Sequence, residues 1–357
     1  MEQFYQAPET PCVPSFPVTA SAGLRVRRDQ EGATVFLTGA SGFVGNHILR
    51  ALLAARYRVR ALVRPGSRRL PQLDGCTLVE GDVLRSGELV RQMEGCRYLV
   101  HTASLYSFSP RAHDGMLATN VRGCAGLLET ARLAGIERAV LTSSSSTVGP
   151  SVEGRLATEQ DWAEESGTSA YHHSKLLQER AALAVQIPVV LVLPTAPVGP
   201  GDWKPTPTGK MIVDFQRGRM FATLGGGMNV VAVEDVASAH VLALQYGRAG
   251  ERYLVGGENM SLSQIWAHLA AICGRSVPTM RIPLSLAMTL GYADELRCRF
   301  SHQEAAPLVP LEGVRMARHH MYISDTKAQA ELGYASTPVA AALERAVRWY
   351  RDNGYAS

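Results

Sequence analysis

No apolar run in the 357-residue chain comes near the roughly 20 residues that a bilayer-spanning helix needs, so no transmembrane segment is expected. Charge of one sign is also scarce: 36 lysines and arginines against 32 acidic residues leave a formal net charge of +4, with the basic residues dispersed. This argues against nucleic acid as a partner, because a polyanion-binding surface needs a concentrated basic stripe. Cysteine is present but unpatterned. Cys12, Cys76, Cys96, Cys124, Cys273 and Cys298 form no C-x-x-C and no Cys/His metal spacing, which predicts no metal site and fits reduced, structural thiols. The first thirty residues hold Pro8, Pro11, Pro14 and Pro17 but no basic segment leading into an apolar one. Residues 1–31 therefore read as a disordered tail, not a signal peptide, and the expected location is cytoplasmic. What remains is a globular composition, 46% hydrophobic and 19% charged, on a chain long enough to bury a large core.

The most informative stretch is TGASGFVG, Thr38 to Gly45, between the apolar run Ala33 to Leu37 and the helical pattern from Asn46 to Leu53. A glycine-rich turn from strand to helix sets backbone N–H groups and the positive end of a helix dipole against a pyrophosphate. Gly39 allows the tight turn, Gly42 a close cofactor approach, and Gly45 close packing of helix on strand. A second strand, Tyr57 to Val63, ends in Arg64, with Ser67, Arg68 and Arg69 behind it. An NAD-preferring site places an acidic side chain there for the ribose 2′-hydroxyl. A guanidinium instead pairs a 2′-phosphate, so NADP(H) is the favoured cofactor and NAD(H) the alternative.

Leu78 to Val83 reads as a third strand ending in Asp82, which can accept the adenine amino group or cap the helix near Ser86. Tyr98 to Ser104 reads as a fourth, running into small residues that leave room for a cofactor, with His101 packed and not catalytic. A helix follows from about Met116 to Ala134. The fifth strand, Ile136 to Leu141, ends in the hydroxyl cluster TSSSS, Thr142 to Ser146, and Ile187 to Leu193 is a strand buried on both faces. Strands alternating with helices from residue 33 to 193 specify an α/β fold, a Rossmann-type doubly wound parallel sheet. The expected division is a dinucleotide-binding domain at 32–200, to which 229–258 returns. A smaller, mainly helical substrate-binding lid takes 201–228 and 259–357.

In Tyr171-His172-His173-Ser174-Lys175, the tyrosine and lysine project from one face of a helix, one turn apart. An ammonium beside a phenol favours phenolate, so Lys175 is expected to lower the Tyr171 pKa and make it a usable proton donor or acceptor.

Taken together, TGASGFVG, Asp82, HTAS, TSSSS, YHHSK and PTAPVGP resemble the extended short-chain dehydrogenase/reductases, in particular their dihydroflavonol-4-reductase-like branch. Bacterial proteins of that branch called hopanoid-associated sugar epimerases also share KPTPTGK, GERYLVGGEN and the segments at 313–317 and 331–334; only the first thirty residues fall outside the likeness. The resemblance implies a Ser-Tyr-Lys triad. Ser144 maps to the catalytic hydroxyl, with Ser143, Ser145 and Ser146 as neighbouring alternatives. Tyr171 becomes the acid/base, and Lys175 the group that tunes it and binds ribose. The implied cofactor contacts are Gly39, Ser41, Gly42, Phe43, Val44, Gly45, Arg64, Arg68, Asp82, Val83, Thr102, Ala103, Ser104, Asn120, Thr142, Ser143, Tyr171, Lys175, Pro194, Thr195 and Ala196. Ser145, Lys204 and Thr206 are candidate substrate contacts, with Thr208, Arg315, His319 and His320 as weaker ones.

Departures from the pattern narrow the chemistry. Nucleotide-sugar dehydratases carry an Asp-Glu pair just after the strand-end threonine, where this chain has serines, so elimination of water lacks its acid and base. Nucleotide-sugar epimerases usually have an arginine for the diphosphate where Met228 and Asn229 stand. The favoured reading is therefore an NAD(P)-dependent reductase of a carbonyl on a small or lipid-linked substrate. The alternatives are an epimerase acting on a sugar-like group and a cofactor-binding scaffold without turnover. Related folds pair through the helices at 116–134 and 170–185, which makes a homodimer the expectation to test.

Overall fold

The structure is a computed structural model that describes residues 30–66, 73–106, 113–152, 155–165, 169–220, 222–300, 314 and 320–356, with backbone alone at 295 and 298–300. The first half runs β1 (Thr34–Thr38), α1 (Phe43–Ala54), β2 (Arg58–Val63), β3 (Thr77–Glu80), α2 (Val90–Met93), β4 (Tyr98–His101), α3 (His113–Met116), α4 (Cys124–Leu133), β5 (Arg138–Thr142), α5 (Ala170–Ala184) and β6 (Val189–Pro194). The second half runs β7 (Ala196–Val198), α6 (Pro207–Gln216), β8 (Ala222–Thr223), β9 (Gly227–Ala232), α7 (Val233–Tyr246), β10 (Arg252–Val255), β11 (Glu258–Ser261), α8 (Leu262–Cys273), β12 (Met280–Arg281), α9 (Leu284–Phe300), β13 (His320–Met321), α10 (Thr326–Leu332) and α11 (Val339–Asp352).

Seven strands form one sheet in the order β10-β6-β5-β4-β1-β2-β3, every neighbouring pair parallel. Parallel strands are joined by helices that cover both faces, so their residues are buried on both sides. β6 is buried throughout for this reason. Helices α1 and α7 pack together on one face, with Ile48, Leu52, Val236 and Leu244 in its core. On the other face Leu127, Leu128 and Ala182 of α4 and α5 meet Leu99, Leu141 and Leu191.

Beyond that sheet, β11, β9 and β13 lie side by side in a second one, and β7 also pairs with β9. Within 229–258, the segment expected to return to the dinucleotide-binding domain, β10 joins the main sheet beside β6 and β9 lies in the second sheet. Glu234 and Asp235 lie in the first turn of α7, which no side chain caps, and Asp235 accepts from Thr337 N and Oγ1 at 2.7 and 2.8 Å. The expected tail at 1–31 falls outside the described residues except at its end, where Gln30 is buried and accepts from the Tyr57 hydroxyl at 2.9 Å. Among the described residues no helix is long and apolar enough to cross a membrane.

Candidate active site

The glycine turn links β1 to α1 at the carboxyl end of β1. Gly39 has φ +78°, and a Cβ there would come within 2.6 Å of Thr102 Oγ1. A Cβ on Gly45 would sit 2.0 Å from the Gly39 carbonyl oxygen. Only glycine fits either place, so the helix begins pressed against its own strand. No side chain caps α1, and its first turn holds no acidic residue. An anion therefore meets open amides and the positive dipole end, and the residues present fit a dinucleotide pyrophosphate. Ser41 and Gly42 are exposed there, Phe43 and Val44 half-buried.

Arg64 is exposed just past β2, as a 2′-phosphate partner must be, while Arg68 lies outside the described residues. Asp82 accepts from Leu84 N at 2.9 Å, so it caps the turn that follows β3, and Val83 is buried behind it. His101 is wholly buried, its Nδ1 2.7 Å from Thr38 Oγ1, and burial lowers its pKa to about 3. It is a neutral packing residue, as expected. Ala103 N donates to Thr38 Oγ1 at 3.2 Å, which fixes the small-residue segment beside the turn.

Asn120 is a buried anchor. It lies in a wide helical turn, Leu117–Gly123, set between α3 and α4. Its Oδ1 accepts from Ser104 Oγ at 3.0 Å and Leu105 N at 2.8 Å, and its Nδ2 donates to Leu105 O at 2.9 Å and Ser174 Oγ at 3.1 Å. The side chain is thus committed to holding the loop after β4 against α5, a different use from the cofactor contact implied by resemblance.

At the end of β5 the hydroxyl cluster divides. Ser144 is half-buried, and its hydroxyl accepts from Ser146 N at 3.2 Å. Ser143 donates to Glu179 in the interior, and Ser145 is half-buried beside Ser144. Burial pushes the Tyr171 phenol up to about 12, with the nearby Ser144 hydroxyl opposing it. This is opposite to the lowering expected from Lys175. Lys175 is 2% exposed and turns its ammonium inward, to Thr142 O at 3.1 Å and Gln178 Oε1 at 2.8 Å. Desolvation dominates its own titration, lowering it to about 8 against the pull of Cys124 and Glu179. Thr142 is locked in turn, its Oγ1 2.7 Å from His240 Nε2.

The sequence reading missed the groups behind this cluster. Glu179 lies one turn beyond Lys175, wholly buried, and pairs with Arg252 at 2.8 Å. Asn229, read only as the lack of a cation, is a buried joint: its Oδ1 accepts from Thr195 Oγ1 and Gly257 N, both at 2.9 Å. Pro194 and Ala196 flank that threonine. An acidic residue at i,i+4 from Lys175 was the one signal for Glu179 in the sequence.

The candidate substrate contacts fare differently. Lys204 is exposed. Thr206 is the N-cap of α6, its hydroxyl accepting from Gly209 N at 3.2 Å and donating to Asp202 at 2.8 Å, which is the bracing role of a rigid loop. His320 is exposed in β13, whereas Arg315 and His319 lie outside the described residues.

Residues 35–256 match the NAD dependent epimerase/dehydratase family. The chain is 40% identical to a putative dihydroflavonol 4-reductase of Synechocystis sp. across 90% of this chain and 95% of that one. It is 34% identical to sterol demethylase protein B of Methylococcus capsulatus across 90% of this chain and 99% of the other. Among solved structures, that of gox2253 superposes with a TM-score of 0.80 at 34% identity, covering 92% of this chain and all of its own.

Proposed function

The chain belongs to the NAD dependent epimerase/dehydratase family, and on that premise we propose that it is an NAD(P)-dependent reductase of a ketone or aldehyde on an apolar, lipid-like substrate. The observation that carries this reading is the packing of the Tyr171–Lys175 helix turn on the hydroxyl-lined end of β5, where Lys175 Nζ donates to Thr142 O at 3.1 Å and Ser144 acts on the Tyr171 phenol. A nicotinamide dinucleotide, when bound, supplies the hydride. Gly39, Gly42 and Gly45 hold its pyrophosphate and Arg64 its 2′-phosphate. Ser144 orients the substrate oxygen, and Tyr171 delivers the proton that the developing alkoxide requires. The phenol's raised pKa keeps it protonated at neutral pH, the form a reductase needs. Lys175 places a positive charge one turn away.

Reduction is favoured over epimerisation of a nucleotide sugar because the place of a diphosphate-binding arginine is taken by Met228 and the buried Asn229, whose amide is already bonded. A diphosphate finds no fork donor there. The names of the relatives, a dihydroflavonol 4-reductase and a sterol demethylase protein, support a polycyclic substrate.

The test is NADPH absorbance with a panel of cholest-4-en-3-one in detergent, a β-keto ester and UDP-glucose. The reading expects alcohol formation from a ketone equal to the NADPH consumed. Redox-neutral inversion of the UDP-sugar with retained cofactor contradicts it. Arg64→Asp is expected to reverse the NADPH-to-NADH preference in kcat/KM by ten-fold or more; an unchanged preference removes the 2′-phosphate assignment.

A further inference from the structure

We propose that the buried Glu179–Arg252 pair is a positioning device for the Ser144 hydroxyl, an inference that rests on the reading of Ser144 and Tyr171 as the reacting groups. Glu179 is wholly buried and Arg252 5% exposed. The carboxylate accepts from groups on both sides of Ser144: the Ser143 hydroxyl, and Thr147 Oγ1 at 2.7 Å. Arg252 closes the ring from the other strand edge. Its Nε donates to Glu179 Oε2 at 2.8 Å, and its Nη2 donates to Thr147 O at 3.1 Å and Thr147 Oγ1 at 2.9 Å. Nη1 donates to the Glu159 carbonyl, and the guanidinium lies 3.7 Å from the centre of the Trp162 ring.

The result is a bracket. Ser144 is the residue of the stretch 143–147 that acts on the Tyr171 phenol, and it lies between two residues tied to the pair. A lone buried ion pair contributes little to stability, because desolvation offsets the Coulomb attraction. This one satisfies five further hydrogen bonds, four of them on Ser143 and Thr147 and the fifth to the Glu159 carbonyl. Its effect is to fix the short loop that presents the Ser144 hydroxyl to the reacting oxygen, where an error of about 1 Å costs on the order of 100-fold in rate. Neither Glu179 nor Arg252 touches the reacting atoms, so both are positioning residues.

The test joins kinetics to structure. Ser144→Ala, Glu179→Gln and the double variant are compared with wild type, using cholest-4-en-3-one reduction at saturating NADPH, NADPH affinity by fluorescence, and thermal melting. Glu179→Gln is expected to lower kcat at least ten-fold while KM and NADPH affinity stay within two-fold. In the Ser144→Ala background the same substitution is expected to cost nothing further, because the group it positions is gone. Thr147→Val loosens the bracket without leaving a buried charge unpaired, and covers a Glu179→Gln that fails to fold. Crystal structures of Glu179→Gln or Thr147→Val are expected to show Ser144 Oγ displaced relative to Tyr171, a readout that needs no substrate. An unmoved Ser144, or losses that add in the double variant, overturns the inference while leaving the triad reading intact. Full activity in Ser144→Ala overturns the triad reading itself, and the inference with it.

Discussion

At the residue scale the decisive group is Lys175, whose ammonium is buried and directed at Thr142 and Gln178. Burial has lowered its pKa from the ordinary lysine range to about 8, so it is charged below that pH and neutral above it. If its charge supports the reaction, kcat/KM falls as pH rises through about 8, because that parameter reports ionisation of the free enzyme. Lys175→Met is expected to abolish this alkaline limb along with most of the activity; a wild-type profile flat to pH 10 contradicts the assignment. The identity of Tyr171 and Lys175 was legible in the sequence because i,i+4 spacing fixes a shared helix face. The direction of the Tyr171 shift was not, since it depends on how much surrounding structure excludes water. Spacing carries no such information.

At the scale of elements, boundaries written in local chemistry were readable and those made by tertiary contact were not. α8 begins at Ser261 with a capping box closed by Gln264 and ends at Gly274 with φ +63°, so both ends are visible in the sequence. The wide turn at Leu117–Gly123 follows from Asn120 reaching the loop after β4, a partner distant in sequence. The loop after β7 shows the same limit. Asp202 is buried, and its Oδ2 accepts from Thr206 N and Oγ1, both at 2.8 Å, and from the Tyr350 hydroxyl at 2.7 Å, which ties the loop to α6 and α11. Burial raises its pKa to about 6. The folded chain therefore holds a proton that the unfolded chain has lost between the ordinary aspartate value and about 6, and this group's contribution to stability declines as pH rises across that window. Asp202→Asn is expected to flatten the change in melting temperature between pH 4.5 and 7.5; a pH dependence equal to wild type contradicts it.

For the whole molecule, the parallel sheet was predictable from alternating strand and helix signals between residues 33 and 193, because both-face burial writes long aliphatic runs. The arrangement after Pro200 was not, since β8, β12 and β13 are two residues each and take their form from pairing partners. Leu133 and Leu183, 61% and 37% exposed, lie on α4 and α5, the helices expected to pair in a homodimer. Light scattering is expected to give the dimer mass, and a monomer mass refutes that arrangement. The central claim concerns the phenol. The most direct measurement is turnover of cholest-4-en-3-one with NADPH by wild type and Tyr171→Phe, alcohol and oxidised cofactor counted together. The account predicts one alcohol per NADPH for wild type and at least a ~100-fold lower kcat for Tyr171→Phe with NADPH affinity unchanged. Equal turnover by the two proteins would contradict it.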